Sequence, residues 1–503
     1  MYIYNFKFYL ATSDSEIFSV NCYINHPVYN FIDLQDTIVA LATPAGSGAI
    51  GIVRLSGTHA ISIANEVFSA KNLEEVDSHT IHLGYIRNEQ QKIIDQALVS
   101  VFKMPHSYTK ENVIEVSCHG SRYIQQQLIE LFIRKGARIA REGEFTLRAF
   151  LNGQMDLSQA EAVADLIAAE SESAHQIALS QMRGGFSDEI KNLRDELIHF
   201  ASLIELELDF GEEDVEFANR NDLKDLVAKI LTIIKRLLDS FQLGNAIKHG
   251  VNTVLAGRPN AGKSTLLNAL LNEERAIVSD IAGTTRDTIE GILNIQGVQY
   301  RLIDTAGIRE ATDQIEAIGV QKTMEQVAKS SILVYVYDRN SLSPIEVQAD
   351  LQKLDNEKMN IIVVANKTDI YNNQQDDGRP NPFIEDRQLF AITQALEKQY
   401  ITVHLSAKDK TQIDQLKKQL FELFSSNEIN QDNSIVSNSR HYEALKSALE
   451  SLDAVMHGLE VGISGDFLAM DIRHALNYLG EITGQISTDD LLGNIFSSFC
   501  IGK

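Results

Sequence analysis

The feature that most constrains the fold is a glycine-rich octapeptide at residues 257–264, which has the form G-x-x-x-x-G-K-S. An apolar strand pattern at 253–256 precedes it, and an apolar helix pattern at 265–271 follows it. In this context the glycines let backbone N–H groups turn toward phosphate oxygens, while the helix N-terminus adds a favourable dipole. A glycine turn that matches by chance is the alternative, with a prior of about one in ten for the motif alone. The octapeptide therefore predicts a phosphate-binding P-loop.

Three downstream motifs favour a guanine nucleotide as the ligand. They are D-T-A-G at 304–307, N-K-T-D at 366–369 and S-A-K at 406–408, and each follows an apolar strand pattern. Ligands bind at the carboxyl ends of strands in open α/β sheets. Asp369 can accept two hydrogen bonds from the N1–H and exocyclic amine of guanine, an arrangement that adenine cannot satisfy. Because the motifs resemble those of small GTPases in order and spacing, they predict that GTP is bound.

The predicted site gives individual side chains separate roles. Lys263 is expected to reach the β- and γ-phosphates, and Ser264 to supply a hydroxyl ligand to Mg²⁺. Asp304 is expected to hold the magnesium shell, while the backbone N–H of Gly307 contacts the γ-phosphate. Ras-like GTPases place a water-orienting glutamine after this glycine, but here that position is Ile308. The residues predicted to surround GTP are Asn260, Ala261, Gly262, Lys263, Ser264, Thr265, Ser279, Asp280, Ile281, Ala282, Gly283, Thr284, Thr285, Asp304, Thr305, Ala306, Gly307, Asn366, Lys367, Thr368, Asp369, Ser406, Ala407 and Lys408.

Length and periodicity predict a multidomain chain. At 503 residues the chain is too long for one hydrophobic core, and typical domain sizes suggest about three units. Two stretches of helical periodicity predict one all-α domain that is split in sequence, and Gly244 and Gly250 are expected to bracket a hinge after its first part. Alternating strands and helices predict an inserted α/β P-loop GTPase domain with a mostly parallel sheet. The predicted segments are 1–35 (an unassigned extension), 36–152 (an α+β domain), 153–246 (helical, first part), 247–425 (GTPase) and 426–503 (helical, second part).

Charge and cysteine content limit the possible surroundings of the chain. Its formal net charge of −24 repels polyanions, so a nucleic-acid contact would need a local basic patch or the surface of a partner. Apolar runs such as residues 332–336 are far shorter than the ~18 residues that cross a bilayer. Three widely spaced cysteines do not suggest a disulfide framework. These properties predict a cytoplasmic protein without a membrane segment.

Two further patterns are interpreted as decoys. Residues 46–51 spell G-x-G-x-x-G, the dinucleotide fingerprint, but residues 50–55 continue as a strand pattern, whereas a Rossmann turn must open a helix. Acidic residues are concentrated at 205–216, for which a solvated loop is the usual explanation. Neither pattern predicts a ligand site.

The chain resembles the MnmE family of tRNA-modification GTPases, also called TrmE. The resemblance covers residues 36–503. It includes segments well outside the nucleotide loops, so it extends to all three predicted domains. The segments that carry it are D-T-I-V-A at 36–40, R-E-G-E-F-T-L-R-A-F-L-N-G at 141–153, D-L-S-Q-A-E-A at 156–162, G-R-P-N-A-G-K-S at 257–264, V-S-D-I-A-G-T-T-R-D at 278–287, D-T-A-G-I-R-E at 304–310 and F-C-I-G-K at 499–503.

This resemblance implies a replacement for the missing glutamine. In the family a potassium ion takes the role of an arginine finger, and a glutamate positions the attacking water through a bridge. The glutamate corresponds to Glu316, which would otherwise be interpreted as a solvated surface residue. Thr285 corresponds to the second magnesium ligand. The potassium ligands correspond to Asn260, Ser279, where threonine is commoner, Ile281 and Thr284.

The resemblance also implies a second ligand, a tetrahydrofolate derivative that donates a one-carbon unit. Arg54, Glu115, Gln154 and Lys503 stand at the corresponding positions, although Gln154 replaces a residue that is often lysine. A carboxylate can pair with pterin amino and N–H groups. Without the family, Arg54 and Glu115 would be interpreted as surface charges on strands. Cys500 is implied near this site, either in the chemistry or in packing, whereas a buried inert thiol is the default interpretation.

By family, the chain would modify the C5 position of the tRNA wobble uridine by carboxymethylaminomethyl addition. The implied assembly is a homodimer through the N-terminal domains and a heterotetramer with a flavin-dependent partner, MnmG. Two alternatives of other classes stay open. One is a regulatory GTPase in ribosome assembly or stress signalling, and the other is a binding scaffold without GTP turnover.

Overall fold

The computed structural model describes residues 7–11, 17–21, 36–209, 220–273, 291–304, 330–339, 341–354, 359–369, 397–423, 434–497 and 499–502. The chain divides into two compact units, one of residues 1–160 with 486–503 and one of residues 161–485. In the extension, strands β1 (Lys7–Ala11) and β2 (Ile17–Asn21) pair as an antiparallel hairpin. Within the described ranges, no helix is both long enough and apolar enough to cross a membrane.

The first unit is built on a six-stranded sheet in the order β5-β6-β7-β4-β3-β8. All neighbouring strands are antiparallel except β3 and β8, which are parallel. The elements are β3 (Ile38–Leu41), β4 (Ile50–Ser56), α1 (Ala60–Val67), β5 (Thr80–Arg87), β6 (Ile93–Phe102), β7 (Val113–His119), α2 (Arg122–Arg134), β8 (Arg138–Ile139) and α3 (Glu144–Leu151). These elements confirm the predicted α+β fold of this part of the chain, and the G-x-G-x-x-G turn leads into strand β4 rather than a helix, as predicted.

One face of this sheet carries the core of the first unit. Alternate residues of β6, Ala97, Val99 and Val101, are buried there against α1 and α2. This period of two is the side-chain alternation of a half-buried strand. Elsewhere in the same unit, the fully buried Arg148 of α3 forms ion pairs with three carboxylates, which belong to Asp36, Glu111 and Glu144.

The helices described next along the chain are α4 (Leu157–Ala168), α5 (Glu172–Met182), α6 (Gly185–Asp209) and α7 (Arg220–His249). Helix α7 continues through Gly244, so the hinge predicted from Gly244 to Gly250 is wrong for most of its length. A Cβ atom at Gly244 would lie 2.2 Å from the carbonyl oxygen of Val436. This glycine permits close packing inside a helix rather than a bend.

The second sheet forms the α/β part of the chain and has the order β10-β11-β9-β12-β13-β14. Among the strands that the structure describes here, only β10 is antiparallel to its neighbour, which confirms the mostly parallel sheet. Apolar side chains fill both of its faces, as expected for strands covered by helices on two sides. Its elements are β9 (Val251–Ala256), α8 (Lys263–Glu273), β10 (Gly291–Ile295), β11 (Val298–Asp304), β12 (Ile332–Asp338), α9 (Pro344–Leu354), β13 (Asn360–Asn366), β14 (Ile401–His404) and α10 (Ile413–Glu422).

The last helices are α11 (Ser439–Val461), α12 (Gly465–Thr483) and α13 (Asp489–Phe496). Helices α6 and α7 share one apolar core with α11 and α12, including Ile190, Ile230, Leu445 and Ile472. Because these helices come from both sides of the α/β segment, the helical domain is split in sequence, as predicted.

Candidate functional site

The predicted P-loop connects β9, which lies inside the second sheet, to α8. Gly257 starts the loop with φ +147°, and a Cβ atom there would lie 1.9 Å from the carbonyl oxygen of Val336. Asn260, which is exposed, also has a positive φ of +61°. The loop is therefore pressed against β12 and needs glycine at its first position.

The P-loop lysine is oriented by backbone carbonyl groups. Lys263 Nζ donates hydrogen bonds to the carbonyl oxygens of Gly257 at 2.7 Å and Arg258 at 3.1 Å. The residue is 8% exposed, whereas the neighbouring Ser264 and Thr265 are exposed at the start of α8. An ammonium group held at the helix N-terminus suits a bound phosphate, and the Ser264 hydroxyl is a hard oxygen ligand of the kind that Mg²⁺ prefers.

Asn366, at the end of β13, connects three of the predicted motifs. Its Nδ2 donates to the carbonyl oxygen of Ala261 at 2.8 Å. Its Oδ1 accepts hydrogen bonds from the backbone N–H of Ala407 at 3.0 Å and of Lys367 at 2.8 Å. A Cβ atom at Gly262 would lie 2.3 Å from Asn366 Nδ2, so the second P-loop glycine permits this contact. The structure thus brings the P-loop, the N-K-T-D loop and the S-A-K loop together.

The carboxylate predicted to recognise guanine is itself held in place. Ser406 Oγ donates to Asp369 Oδ1 at 2.8 Å and accepts from the backbone N–H of Asp409 at 3.2 Å. Lys367, with φ +64°, reaches across the loop and donates to Asp338 Oδ2 at 2.8 Å. The hydrogen bond from Ser406 thus orients Asp369 at the carboxyl end of the sheet, where a base can approach it.

Several predicted residues lie outside the described ranges. The backbone of Asp304 ends β11 in register with Leu255 of β9, which places it at the same sheet edge as the P-loop. The structure does not describe the other predicted nucleotide and metal ligands between residues 279 and 307, the water-positioning glutamate or the C-terminal lysine. These are Ser279, Asp280, Ile281, Ala282, Gly283, Thr284, Thr285, Thr305, Ala306, Gly307, Glu316 and Lys503.

A second cluster surrounds Arg54 in the first unit. Arg54 of β4 and Glu115 of β7 are cross-strand partners, and Arg54 Nε donates to Glu115 Oε1 at 2.8 Å. The Arg54 guanidinium carbon lies 5.7 Å from the ring centroid of Tyr108 and 5.6 Å from that of Phe145. Burial raises the pKa of the Tyr108 phenol, although its hydrogen bond with Thr146 and the Arg54 charge act in the opposite direction. The cluster therefore combines a cation and a carboxylate with the half-buried ring of Tyr108 and the buried ring of Phe145.

The C-terminal tail completes this cluster. Arg54 Nη1 donates to the carbonyl oxygen of Gly502 at 3.2 Å. Ile501 forms a β-bridge with Glu142, and the exposed Cys500 lies one residue before it. Gly502 has φ +98°, and a Cβ atom there would lie 2.2 Å from the carbonyl oxygen of Leu41. The tail is thus seated against β3 through a residue that must be glycine.

Sequence reasoning predicted this cluster only in part. Gln154 is exposed just after α3, where its backbone N–H donates to the carbonyl oxygen of Ala149 at 2.8 Å. In the part of the chain that the structure describes, no hydrogen bond joins Gln154 to Arg54 or Glu115. The aromatic neighbours of Arg54 were missed, because nothing in the sequence links them to a residue on a distant strand.

Comparisons with known proteins identify families that match most of the chain. The family described as "GTP-binding protein TrmE N-terminus" matches residues 37–154, and the family "MnmE helical domain" matches residues 157–500. A protein of Cytophaga hutchinsonii named tRNA modification GTPase MnmE is 54% identical over 468 residues, which cover 93% of this chain and 98% of that protein. The protein of the same name from Christiangramia forsetii is 52% identical and covers 93% of this chain and 100% of its own length.

Among solved structures, the GTPase Era of Aquifex aeolicus, in a GDP complex with aluminium fluoride, is 23% identical. That likeness covers 40% of this chain and 66% of the Era chain, with a TM-score of 0.26. The family is shown instead by the high identity to the Cytophaga and Christiangramia proteins over nearly their whole length. The chain belongs to the MnmE family of tRNA modification GTPases.

Proposed function

We propose that this chain is a potassium-stimulated GTPase that takes part in modification of the tRNA wobble uridine. The observation that carries the GTPase activity is the buried side chain of Asn366, which joins the P-loop to both loops expected to recognise guanine. Membership of the MnmE family supports tRNA as the substrate class.

For hydrolysis, the described residues supply positioning and charge. Lys263 is held by two carbonyl groups at the start of α8, from which it would contact the β- and γ-phosphates. Ser264, together with Thr285 and the Asp304 region, would hold Mg²⁺, which neutralises phosphate charge when bound. Contacts from Thr285 and Gly307 to the γ-phosphate would order their loops only until hydrolysis.

A potassium ion is proposed to replace the arginine finger. Asn260 is compatible with this role, since it is an exposed P-loop residue with a positive φ, and its amide oxygen is a chemically suitable cation ligand. Ser279, Ile281 and Thr284 would complete the ligand set. The ion would supply positive charge where negative charge develops between the β- and γ-phosphates, and Glu316 would position the attacking water.

The Arg54 cluster is proposed to bind a tetrahydrofolate derivative, which would supply a one-carbon unit. The side chains of Arg54 and Glu115 are 21% and 25% exposed, so a ligand can reach both. The half-buried ring of Tyr108 beside a carboxylate suits a flat, hydrogen-bonding pterin. Lys503 and Gln154 are proposed to extend this site, and Cys500 to act next to it.

The remaining proposals concern assembly and organisation. The chain would act in the cytoplasm as a homodimer through its N-terminal domains and as a heterotetramer with the flavin-dependent partner MnmG. Its net charge of −24 favours tRNA contact through a local patch or through that partner. We also propose that the domains and domain parts begin at residues 36, 153, 247 and 426.

Complementation of a deletion strain tests the proposed function. Nucleoside mass spectrometry should show loss of C5-modified wobble uridines in the deletion strain and their return with the parent gene but not with Glu316→Ala. The purified variant should still bind GTP but lose most turnover, and sodium should not replace potassium. Retained C5 modification in the deletion strain, with only the ribosome profile altered, would favour the ribosome-assembly alternative.

A further inference from the structure

Helix α9 is connected to the P-loop through the side chain of Arg258. Arg258 Nε donates to Asp350 Oδ2 at 2.8 Å, and its Nη2 lies 3.3 Å from Asp350 Oδ1. Its Nη1 donates to Glu346 Oε1 at 2.8 Å. One guanidinium group therefore binds two carboxylates that lie one helical turn apart, and one of these contacts is bidentate.

Both carboxylates are fixed by a second set of contacts. The buried Tyr335 of β12 donates from its hydroxyl to Asp350 Oδ2 at 2.6 Å. Glu346 Oε2 accepts from the backbone N–H and the hydroxyl of Ser343, at 3.1 and 2.9 Å, at the start of α9. The backbone and hydroxyl hydrogen bonds of Ser343, together with Arg258, lower the pKa of Glu346 to about 2. The hydrogen bonds that Arg258 donates to Asp350 and Glu346 raise its pKa.

These contacts close a ring around the first turn of the P-loop. Tyr335 is in register with Ala256, the last residue of β9, in the parallel pairing of β12 with β9. Arg258 lies two residues after Ala256, and its side chain binds Asp350, the same carboxylate that accepts the hydrogen bond from Tyr335. Isolated surface ion pairs contribute little, but a bidentate pair anchored by a buried hydroxyl fixes a geometry.

The backbone that this ring fixes is the part that orients Lys263. The two carbonyl groups that accept hydrogen bonds from Lys263 Nζ belong to Gly257 and to Arg258 itself. We infer that Arg258 is a positioning residue, which acts through Asp350 and Glu346 to hold Lys263 where it binds the phosphates of GTP. The inference rests on the proposed GTP binding and adds a residue that is not expected to touch the nucleotide.

The test compares Arg258→Gln, Asp350→Asn and the double variant with the parent. Each single variant should raise the KM and the Kd for GTP about tenfold, since a charged hydrogen bond is lost or misplaced. The double variant should show about the same rise as Arg258→Gln alone, because that substitution already removes the contact with Asp350. Arg258→Lys should give KM and Kd values between those of the parent and Arg258→Gln, since lysine keeps the positive charge but cannot form the bidentate contact. Asp414→Asn, an exposed carboxylate on α10, is the matched control.

Thermal unfolding of every variant separates positioning from stability. A structural role alone would lower kcat and the unfolding temperature and leave KM unchanged, and that result would overturn the inference. An Arg258→Gln protein whose KM and Kd stay within twofold of the parent values would also overturn the inference. The same holds if the rises in Kd of the two single variants multiply in the double variant. If Asp350→Asn does not fold, the KM and Kd values of Arg258→Gln and Arg258→Lys still test the inference. A parent that binds GTP without hydrolysing it refutes the proposed activity alone, because the Kd still tests Arg258.

Discussion

Asn366 Nδ2 donates a hydrogen bond to the carbonyl oxygen of Ala261 at 2.8 Å, although the two residues are 105 positions apart in sequence. The other end of the same amide accepts from the backbone N–H of Ala407. Asn366 is 2% exposed, so its partners cannot exchange these bonds for bonds to water. The phosphate site and the base site consequently depend on one side chain.

Asn366→Ala should weaken GTP binding about 100-fold. The substitution leaves a buried carbonyl group and a buried N–H group without this partner, and each loss costs about 1–3 kcal/mol. Isothermal titration calorimetry with GTP and with GDP measures the effect. Asn268→Ala, an exposed amide on α8, is the matched control and should bind as the parent does. Equal affinities for the two variants would contradict the linking role of Asn366.

Asp369→Asn should change the preferred base from guanine to xanthine. The carboxylate accepts two hydrogen bonds from guanine, whereas an amide accepts one and donates one, which matches the N1–H and C2 carbonyl of xanthine. Ser406 can still donate to the amide oxygen, so the loop should keep its geometry. Competition between GTP and XTP for the variant measures the change. A variant that still prefers GTP would show that Asp369 does not recognise the base.

The P-loop and the other nucleotide loops could be predicted from sequence because their chemistry is local. A turn with backbone N–H groups needs glycine at fixed positions, as Gly257 and Gly262 show, and flanking strand and helix patterns fix its context. The contact between Arg54 and Gly502 spans 448 positions and has no such pattern. Only the family resemblance pointed to it.

The incorrect hinge has a related cause. From sequence, a glycine in a helical pattern is a possible break, and the packing of its missing side chain cannot be seen. Here Gly244 allows α7 to approach the backbone of Val436. Similarly, α5 falls in the segment predicted to be helical domain, yet Ala174 and Ile177 pack against the core of the α/β sheet. Such packing depends on tertiary contacts that periodicity does not contain.

Gly502→Ala should weaken binding of a tetrahydrofolate derivative at least about tenfold without changing GTP hydrolysis. The added Cβ atom would lie 2.2 Å from the carbonyl oxygen of Leu41, and Gly502 has φ +98°, which strains any other residue. The C-terminal tail would therefore have to move away from β3. Arg54 would then lose its contact with the tail. Fluorescence titration measures folate affinity. Gly493→Ala is the control, since nothing lies within 4 Å of a Cβ atom there. An unchanged folate affinity in Gly502→Ala would argue against a role for the tail.

A buried ion pair joins α4 to α11. Arg440 donates from Nε to Glu161 Oε1 at 2.9 Å and from Nη2 to Glu161 Oε2 at 2.7 Å. His441 Nε2 lies 2.7 Å from the same Oε2, and its ring stacks on Phe186 with centroids 5.1 Å apart. Burial alone would raise the pKa of Glu161, but His441 and Arg440 outweigh it and lower the pKa to about 2. Burial lowers the pKa of His441.

These shifts predict that acid weakens the helical unit. Because the folded pKa of Glu161 is depressed, its contribution is complete above the ordinary value of 4.5 and is lost as pH falls toward 2. His441 acts in the same direction below its ordinary value of 6.5, since the unfolded state then binds the extra proton. Glu161→Gln should therefore cost about 3 kcal/mol in the free energy of unfolding at pH 7, with the difference from the parent shrinking between pH 5 and pH 2.

Urea unfolding followed by circular dichroism at several pH values measures this difference. Glu196→Gln is the matched control, because its carboxylate pairs with Lys229 at the surface, where side chains are 41% and 59% exposed. An exposed pair contributes about 0–1 kcal/mol, so this variant should resemble the parent at every pH. A Glu161→Gln protein whose deficit stays constant down to pH 2 would show that the ionised carboxylate is not the source of the stability. The same deficit in both variants would show that burial of the pair makes no difference.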